Sequence, residues 1–227
     1  RRSFFKRGFD VGTLGLSVGL VGTSIYEAMH IQLETVNVKL KNLNKPYKIA
    51  QISDVHIGGL IQDEFIKTIV DRINSLNVDI VVITGDLVDI DLKYAKKALK
   101  ELTKLNSTYG TYFIVGNHEY IHGVEKIIDE VKTLGINVLE NESVYIGSKN
   151  QGFNLAGVYD VMGYRVGHHK PNLKQALKMI NQDSPTVLLA HQPRFIEEVN
   201  NDVDLVLSGH THGGQIYPFR ALVSIVQ

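Results

Sequence analysis

The sequence predicts an α/β domain, and three observations lead to that prediction. Short apolar runs of strand length, rich in β-branched residues, recur along the chain. Between them lie stretches whose apolar residues keep helical spacing. The chain has 227 residues, 44% hydrophobic and 21% charged, which is typical of a globular domain and not of a disordered chain. Strands that alternate with helices imply crossover connections and a sheet sandwiched between other layers.

Each element has its own signature in the sequence. Val36, Val38 and Leu40 alternate with polar residues, which predicts a half-buried strand at the start of the domain. Apolar runs predict five further strands, at residues 49–53, 80–84, 112–115, 186–190 and 205–208. Helically spaced apolar residues predict three helices, at residues 65–73, 92–102 and 124–134. Several strand-like runs without an intervening helix predict an antiparallel portion between residues 137 and 158.

Charge and cysteine content exclude several function classes. Lys plus Arg and Asp plus Glu both number 24, so no net positive charge attracts the chain to a polyanion, and we expect no nucleic-acid partner. The chain has no cysteine, which excludes disulfides, thiolate zinc sites and thiol nucleophiles. Nine histidines then become the residues whose placement matters most for metal binding and proton transfer.

Residues 1–34 are expected to form a signal or anchor segment, with the domain spanning residues 35–227. Basic residues that include Arg1 and Arg2 precede an uncharged stretch, residues 11–26. Paired arginines before a Phe, a Lys and a mildly apolar stretch resemble a twin-arginine export signal. We therefore expect association with the membrane and a domain on its extracytoplasmic side. The alternatives are the cytoplasmic face of the membrane and an amphipathic helix that lies on the domain.

Side chains able to bind metal or transfer protons follow five of the predicted strands. In chain order they are Asp54, His56, Asp86, Asp89, Asn117, His118, Glu119, His191, His210 and His212. The carboxyl ends of the strands form the edge at which an open α/β sheet binds ligands. Five of the nine histidines lie at these positions, so we expect them to form a single site.

The donor set favours two divalent cations. Imidazole and carboxylate without sulfur suit Mn, Fe, Zn or Ni better than the oxygen cages of Ca or Mg. The ligands are too many for one tetrahedral site, and they suit two adjacent ions that share a bridging carboxylate. Two ions supply a charge of about +4 and the carboxylates of Asp54 and Asp86 return about −2, so the pocket stays positive. Such a pocket favours a phosphoryl group, lowers the pKa of a bound water toward ~7 and supports in-line hydrolysis at phosphorus.

The sequence resembles the calcineurin-like metallophosphoesterase superfamily, whose five motifs it contains in the same order. In this chain they are Asp-x-His, Gly-Asp-x-x-Asp, Gly-Asn-His-Glu, a single His and Gly-His-Thr-His. The resemblance covers residues 49–215, and the ending Gly-His-Thr-His-Gly-Gly-Gln is similar to the bacterial membrane-associated or exported branch. It implies a four-layer α/β/β/α sandwich. It also implies a metal-dependent phosphoester hydrolase, a phosphodiesterase or pyrophosphohydrolase in which a metal-bridged hydroxide attacks phosphorus.

The resemblance further implies a role for each site residue. The ligands divide between two ions that share one carboxylate: Asp54, His56 and His212 for the first ion, Asn117, His191 and His210 for the second, and Asp86 as the bridge. His118 is implied to be the catalytic residue that donates a proton to the leaving oxygen, next to the catalytic and metal-binding Asn117.

Two departures from the family pattern bear on these expectations. Asp89 is followed by Ile90 and Asp91, where the phosphoprotein phosphatases of the superfamily have the Arg-Gly that grips phosphate. The missing Arg counts against a protein phosphatase. Fifteen residues follow His212, too few to complete the second sheet of the family fold, so we expect the domain to be truncated at its C-terminus.

The substrate class, the assignment as an enzyme and the residues Asp160 and Arg194 keep two interpretations each, and Glu119 is given one. A phosphoester that is lipid-linked or a sugar nucleotide is expected from the apolar segment, and soluble phosphodiesters are the alternative. The alternative to an enzyme is a non-catalytic metal-binding or partner-docking module on the same fold. Asp160 lines the pocket or starts a turn, Arg194 contacts phosphate or lies on the surface, and Glu119 orients a histidine.

Overall fold

The computed structural model of the protein describes residues 13–15, 17–18, 21–22 and 31–212. Asn37–His212 form one unit, which contains both sheets and every residue of the candidate site described below. Residues 1–36 and 213–227 form a second unit, most of which lies outside the described residues.

The first sheet has four parallel strands in the order β1-β2-β3-β4: β1 (Ile49–Ile52), β2 (Ile80–Thr84), β3 (Thr111–Ile114) and β4 (Asn137–Val138). Their connections contain the helices α1 (Asp63–Ser75), α2 (Leu92–Glu101), α3 (Asn117–His122) and α4 (Val124–Thr133). The central strands β2 and β3 are buried at every residue, as expected of a parallel sheet covered on both faces. The predicted strands and helices of this half are confirmed.

The second sheet has the order β5-β6-β7-β8: β5 (Glu142–Ile146), β6 (Phe153–Gly157), β7 (Thr186–Leu189) and β8 (Leu205–Leu207). β5 and β6 are antiparallel, which confirms the antiparallel portion expected after residue 137. β6, β7 and β8 are parallel. The elements that connect them are short: α5 (Met162–Val166), α6 (Leu173–Ala176) and a 3-10 helix (Pro193–Glu198).

Alternating side chains divide the interior into three apolar clusters. Val82 of β2 and Val187 of β7 belong to one cluster, which lies between the two sheets. Val81 points the other way and packs with the buried faces of α1, α2 and α4. Leu188 packs with residues of α6 and the 3-10 helix on the outer face of the second sheet. This arrangement is the four-layer α/β/β/α sandwich that the sequence resemblance implied.

The strand predicted at Val36, Val38 and Leu40 is wrong. Residues 31–40 form no strand in the described structure. Val36 and Val38 are 78% and 52% exposed, while Leu40 packs against the cluster between the sheets. Alternation places side chains on two faces, but a strand also needs a neighbour that accepts and donates its backbone hydrogen bonds.

Most of the predicted signal or anchor segment lies outside the described residues. Among the residues that are described, no helix combines the length and the apolar character needed to cross a bilayer. The expectation of missing C-terminal strands concerns residues 213–227, which also lie outside the described part of the chain.

Candidate metal centre

The loops after β1 and β2 hold three predicted metal ligands in an unusual backbone conformation. Asp54, His56 and Asp86 have φ angles of 53°, 49° and 51°. Residues other than glycine rarely adopt such values, and they persist only where the surrounding structure imposes them. His210 and His212, after β8, share the feature with φ angles of 72° and 51°. The concentration of strained residues at one edge of the sandwich marks it as a candidate functional site.

Two glycines allow the loops of this edge to approach one another. Gly85 has a φ of 91°, and a Cβ atom there would lie 2.7 Å from Nδ1 of His191 and 2.6 Å from the backbone nitrogen of Gly116. A Cβ atom on Gly116 would collide with the carboxylate of Asp86. The glycines that precede Asp86 and Asn117 in their motifs are therefore required by close packing between loops.

The structure brings the predicted ligands together in two groups. We call them the outer group (Asp54, His56, His212) and the inner group (Asp86, His191, His210). Within each group the three candidate ligand atoms all lie within 4.8 Å of one another. Oδ2 of Asp86 lies 3.8 Å from Nε2 of His56 and 3.2 Å from Nε2 of His191, so this oxygen stands between the two groups.

The remaining predicted ligand, Asn117, joins the inner group. Its Oδ1 lies 3.1 Å from Nε2 of His191. Nδ1 of His191 lies 2.7 Å from the carbonyl oxygen of Thr84, to which it donates. That hydrogen bond fixes the tautomer and directs Nε2 of His191 toward Asp86 and Asn117, as in histidines that ligate metals.

Burial and charge act together on Asp86 and His191, whose side chains are 3% and 0% exposed. Burial alone would lower the pKa of His191, but the hydrogen bond and charge of Asp86 outweigh it and raise that pKa to about 9. Burial likewise raises the pKa of Asp86, and His191 outweighs it, so the pKa of Asp86 lies below its ordinary value. In the metal-free protein a proton therefore sits between these two side chains, where it competes with a cation.

His118 is positioned at the border of both groups. Its Nε2 lies 4.0 Å from Oδ2 of Asp86, and its Nδ1 lies 2.6 Å from Oδ1 of Asp89. Asp89 also contacts Nε2 of His122 at 3.2 Å. Burial raises the pKa of Asp89, but the hydrogen bonds of His118 and His122 outweigh it and lower the pKa. The sequence analysis counted Asp89 among the candidate side chains of the site but did not predict its contact with His118; its place in Gly-Asp-x-x-Asp was the available signal.

The expectation that Glu119 orients a histidine is wrong. Its hydrogen bonds come from four backbone N–H groups of the loops after β2 and β3, and none comes from a described histidine. Burial and the charge of Asp86 raise the pKa of Glu119, while the N–H groups of Gly116 and Val88 act in the opposite direction. Glu119 therefore stabilises the loops and does not contact the imidazoles.

The other two undecided residues, Asp160 and Arg194, differ in burial. Asp160 is buried and accepts hydrogen bonds at Oδ1 from the backbone N–H of Met162 and the side chain of Gln192. Its Oδ2 has no hydrogen-bond partner among the described residues. Asp160 thus starts a turn, and it interacts electrostatically with His191, whereas Arg194 is exposed.

Three comparisons with known proteins bear on this geometry. The family profile of the calcineurin-like phosphoesterases (Metallophos) matches residues 47–214. A Helicobacter pylori protein called "Uncharacterized metallophosphoesterase" is 41% identical over 229 residues, which cover 100% of this chain and 60% of that protein. "Transmembrane protein with metallophosphoesterase domain" of Bos taurus is 36% identical over 185 residues, or 76% of this chain and 42% of that protein. The chain thus spans about three fifths of the first relatives.

A solved structure described as "Structural and Functional Characterization of a Novel Archaeal Phosphodiesterase" also resembles the protein. The match covers 73% of this chain and 86% of that chain, at 18% sequence identity and a TM-score of 0.41. That similarity is too low to bear on fold or activity. The family profile, in contrast, covers most of the chain and both ligand groups. The chain therefore belongs to the calcineurin-like phosphoesterase family.

Proposed function

We propose that the protein is a phosphoester hydrolase that binds two divalent metal ions, one at the outer group and one at the inner group. The observation that carries the proposal is the position of Asp86 Oδ2, between His56 and His191 at 3.8 Å and 3.2 Å. A carboxylate oxygen in that position can serve two ions at once. Paired ions act as a clamp on the attacking and leaving oxygens of a phosphoryl group.

The donor atoms suit resident cations. Nε2 of His56 and Nε2 of His212 lie 3.1 Å apart, so two ring nitrogens point toward the same place. A divalent cation satisfies both lone pairs, and imidazole with carboxylate is the ligand chemistry of Mn, Fe, Zn or Ni. Six of the seven predicted ligands fall into the two groups, and the seventh, Asn117, contacts His191.

Bound at these groups, the ions would neutralise charge on the phosphoryl oxygens and make a water molecule acidic enough to attack near neutral pH. The residues of the chain supply the rest. Nε2 of His118 faces the site and is the group that protonates the leaving oxygen. Asp89 accepts the hydrogen bond of Nδ1 and so fixes the orientation of the His118 ring.

The substrate that we propose is a phosphodiester or a pyrophosphate ester, on a lipid or a sugar nucleotide. Asp89 is followed by Ile90, so the Arg that grips phosphate in the protein phosphatases is missing. We also propose that the protein is exported or membrane-associated. The uncharged stretch behind Arg1 and Arg2 supports this, as does the relative from Bos taurus whose name describes a transmembrane protein.

Metal analysis and a substrate panel test the proposed hydrolase. The purified chain is stripped with a chelator, reloaded with Mn²⁺ or Zn²⁺, and assayed on aryl monoesters, aryl diesters, sugar nucleotides and pyrophosphate esters. We expect two equivalents of metal and turnover of diesters or pyrophosphates that the chelator abolishes. Stoichiometric metal without turnover of any ester would contradict the hydrolase and favour a metal-binding module.

A further inference from the structure

Glu119 is a fully buried carboxylate, 0% exposed, that faces backbone N–H groups from two different loops. Oε1 accepts from Leu87 and Val88 at 2.8 Å and 3.1 Å. Oε2 accepts from Asp86 and Gly116 at 2.9 Å and 2.6 Å. A buried carboxylate is costly unless it is hydrogen-bonded, and each of these bonds to a charged acceptor is stronger than a neutral one.

The number of loops that this carboxylate joins is the unusual feature. A Glu at the third position of a helix commonly reaches back to the N–H group just before that helix, which here belongs to Gly116. The other three donors belong to consecutive residues of the loop after β2, about thirty residues earlier in the chain. One side chain thus ties the start of α3 to the segment that contains Asp86.

The result of this tie is visible at Asp86. Oδ1 of Asp86 accepts the backbone N–H of His118 at 2.9 Å, which leaves Oδ2 free to face His56 and His191. Asp86 also has the positive φ of 51° that its surroundings must impose. The N–H group of Asp86 itself is held by Glu119, so the strained residue is fixed on both its backbone and its side chain.

We propose that Glu119 is a positioning residue for the metal centre: it fixes the backbone of Asp86 against the start of α3 and so keeps the shared oxygen between the two ligand groups. The inference rests on the proposed two-metal function. Glu119 has no hydrogen bond with a side chain of either ligand group, and it acts only through the backbone N–H groups of the two loops. Because Asp86 serves both groups, loss of Glu119 weakens both metal affinities together.

The substitution Glu119→Gln tests this inference. Gln keeps the volume and one acceptor oxygen, but its NH2 group faces two of the four N–H donors and repels them. Glu130→Gln is the matched control, since the partly buried Glu130 carboxylate pairs with Lys96 at 2.6 Å and belongs to neither ligand group. Mn²⁺ affinity is measured by calorimetry, and the unfolding temperature is measured with and without Mn²⁺.

We expect Glu119→Gln to weaken binding of both Mn²⁺ equivalents by roughly 10- to 100-fold, the range for partners that orient metal ligands. Mn²⁺ addition then raises the unfolding temperature of Glu119→Gln by less than it raises that of the wild type. Glu130→Gln keeps the wild-type Mn²⁺ affinities and the wild-type rise in unfolding temperature. A residue that supported only the fold would lower the unfolding temperature equally with and without Mn²⁺ and leave the affinities unchanged, and that result would overturn the inference.

Two further results distinguish a failure of this inference from a failure of the variant to fold or of the proposed function. Should Glu119→Gln fail to fold, Glu119→Asp decides the question, because it keeps the charge but is one methylene too short to span both loops. Mn²⁺ binding at wild-type affinity in that variant also overturns the inference. If the wild-type chain binds no Mn²⁺, the proposed function itself is wrong; if it binds two equivalents and the variants bind them equally well, only the role of Glu119 is wrong.

Discussion

The inner and outer ligand groups differ in burial and in how firmly their side chains are held. In the inner group, Asp86 and His191 are 3% and 0% exposed, whereas Asp54 and His56 of the outer group are 7% and 18% exposed. The third member of each group, His210 or His212, is exposed. His191 is held by a carbonyl oxygen, and Asp86 by the N–H of His118. Preorganised ligands in a buried site interact more strongly with a cation than solvated ones. We infer that the inner ion binds more tightly and that the outer ion exchanges more readily.

Asp86→Ala is the substitution with the largest expected effect, because the shared oxygen belongs to both groups. We expect both metal equivalents to be lost and turnover to fall by more than ~100-fold, the upper cost of losing a partner that merely orients a ligand. Metal analysis and hydrolysis of an aryl phosphodiester measure the two losses. The control is Asp71→Ala, which removes an exposed carboxylate paired with Lys67. Unchanged hydrolysis in Asp86→Ala would contradict the shared-oxygen arrangement.

His118→Ala separates proton transfer from metal binding. Removal of the proton donor is expected to lower kcat by ~10²–10⁴-fold, the usual contribution of general acid–base catalysis. The variant should still bind two equivalents of metal, since neither ligand group includes this side chain in our assignment. A parallel loss of metal would show that His118 is a ligand and not a proton donor.

A pair of single substitutions tests the difference between the groups. His191→Ala and His212→Ala each remove one imidazole, but the first opens a cavity in a buried, hydrogen-bonded network. We expect the first variant to lose its tighter metal equivalent and the second to lose only its weaker one, by up to ~100-fold in affinity. Calorimetric titration with Mn²⁺ resolves the two steps. Equal losses in both variants would refute the ranking of the two groups.

The smallest expected effect is a pH dependence of the metal-free protein. The pKa of His191 rises from 6.5 to about 9 on folding, so the stabilisation is fully present below pH 6.5 and is lost as the pH rises through about 9. The free energy of unfolding of the chelated chain should therefore fall over that interval, measured by denaturant titration. With saturating Mn²⁺ the trend reverses, because the cation competes with the proton. A flat profile for the chelated chain would contradict the Asp86–His191 pair.

The spacing of apolar residues along the sequence was sufficient to predict most of the strands and helices of the fold. The strands β2 and β3 are buried on every residue, and a continuous β-branched run is the signal that such a position leaves in the sequence. The alternation at Val36 and Val38 produced a false strand because pattern alone does not supply a hydrogen-bonding neighbour. The positions of the candidate side chains, each directly after a predicted strand, also predicted that they would lie close together, since the carboxyl ends of parallel strands meet at the same edge of a sheet.

The supporting contacts of the site could not be predicted in the same way. Asp89 and Glu119 are each within three residues of a predicted site residue, yet one orients His118 and the other holds four backbone N–H groups. Whether a carboxylate orients a histidine or binds backbone N–H groups depends on the conformation of the loops, and that conformation requires the positive φ angles of Asp86 and Gly85. Such backbone conformations follow from packing between loops distant in sequence, which periodicity does not record.

A crystal grown with Mn²⁺ and measured for anomalous scattering tests the two-ion assignment most directly. We predict two peaks, one among Asp54, His56 and His212 and one among His191, His210 and Asn117, with the carboxylate of Asp86 between them. A single peak, or two peaks that do not both contact Asp86, would contradict it.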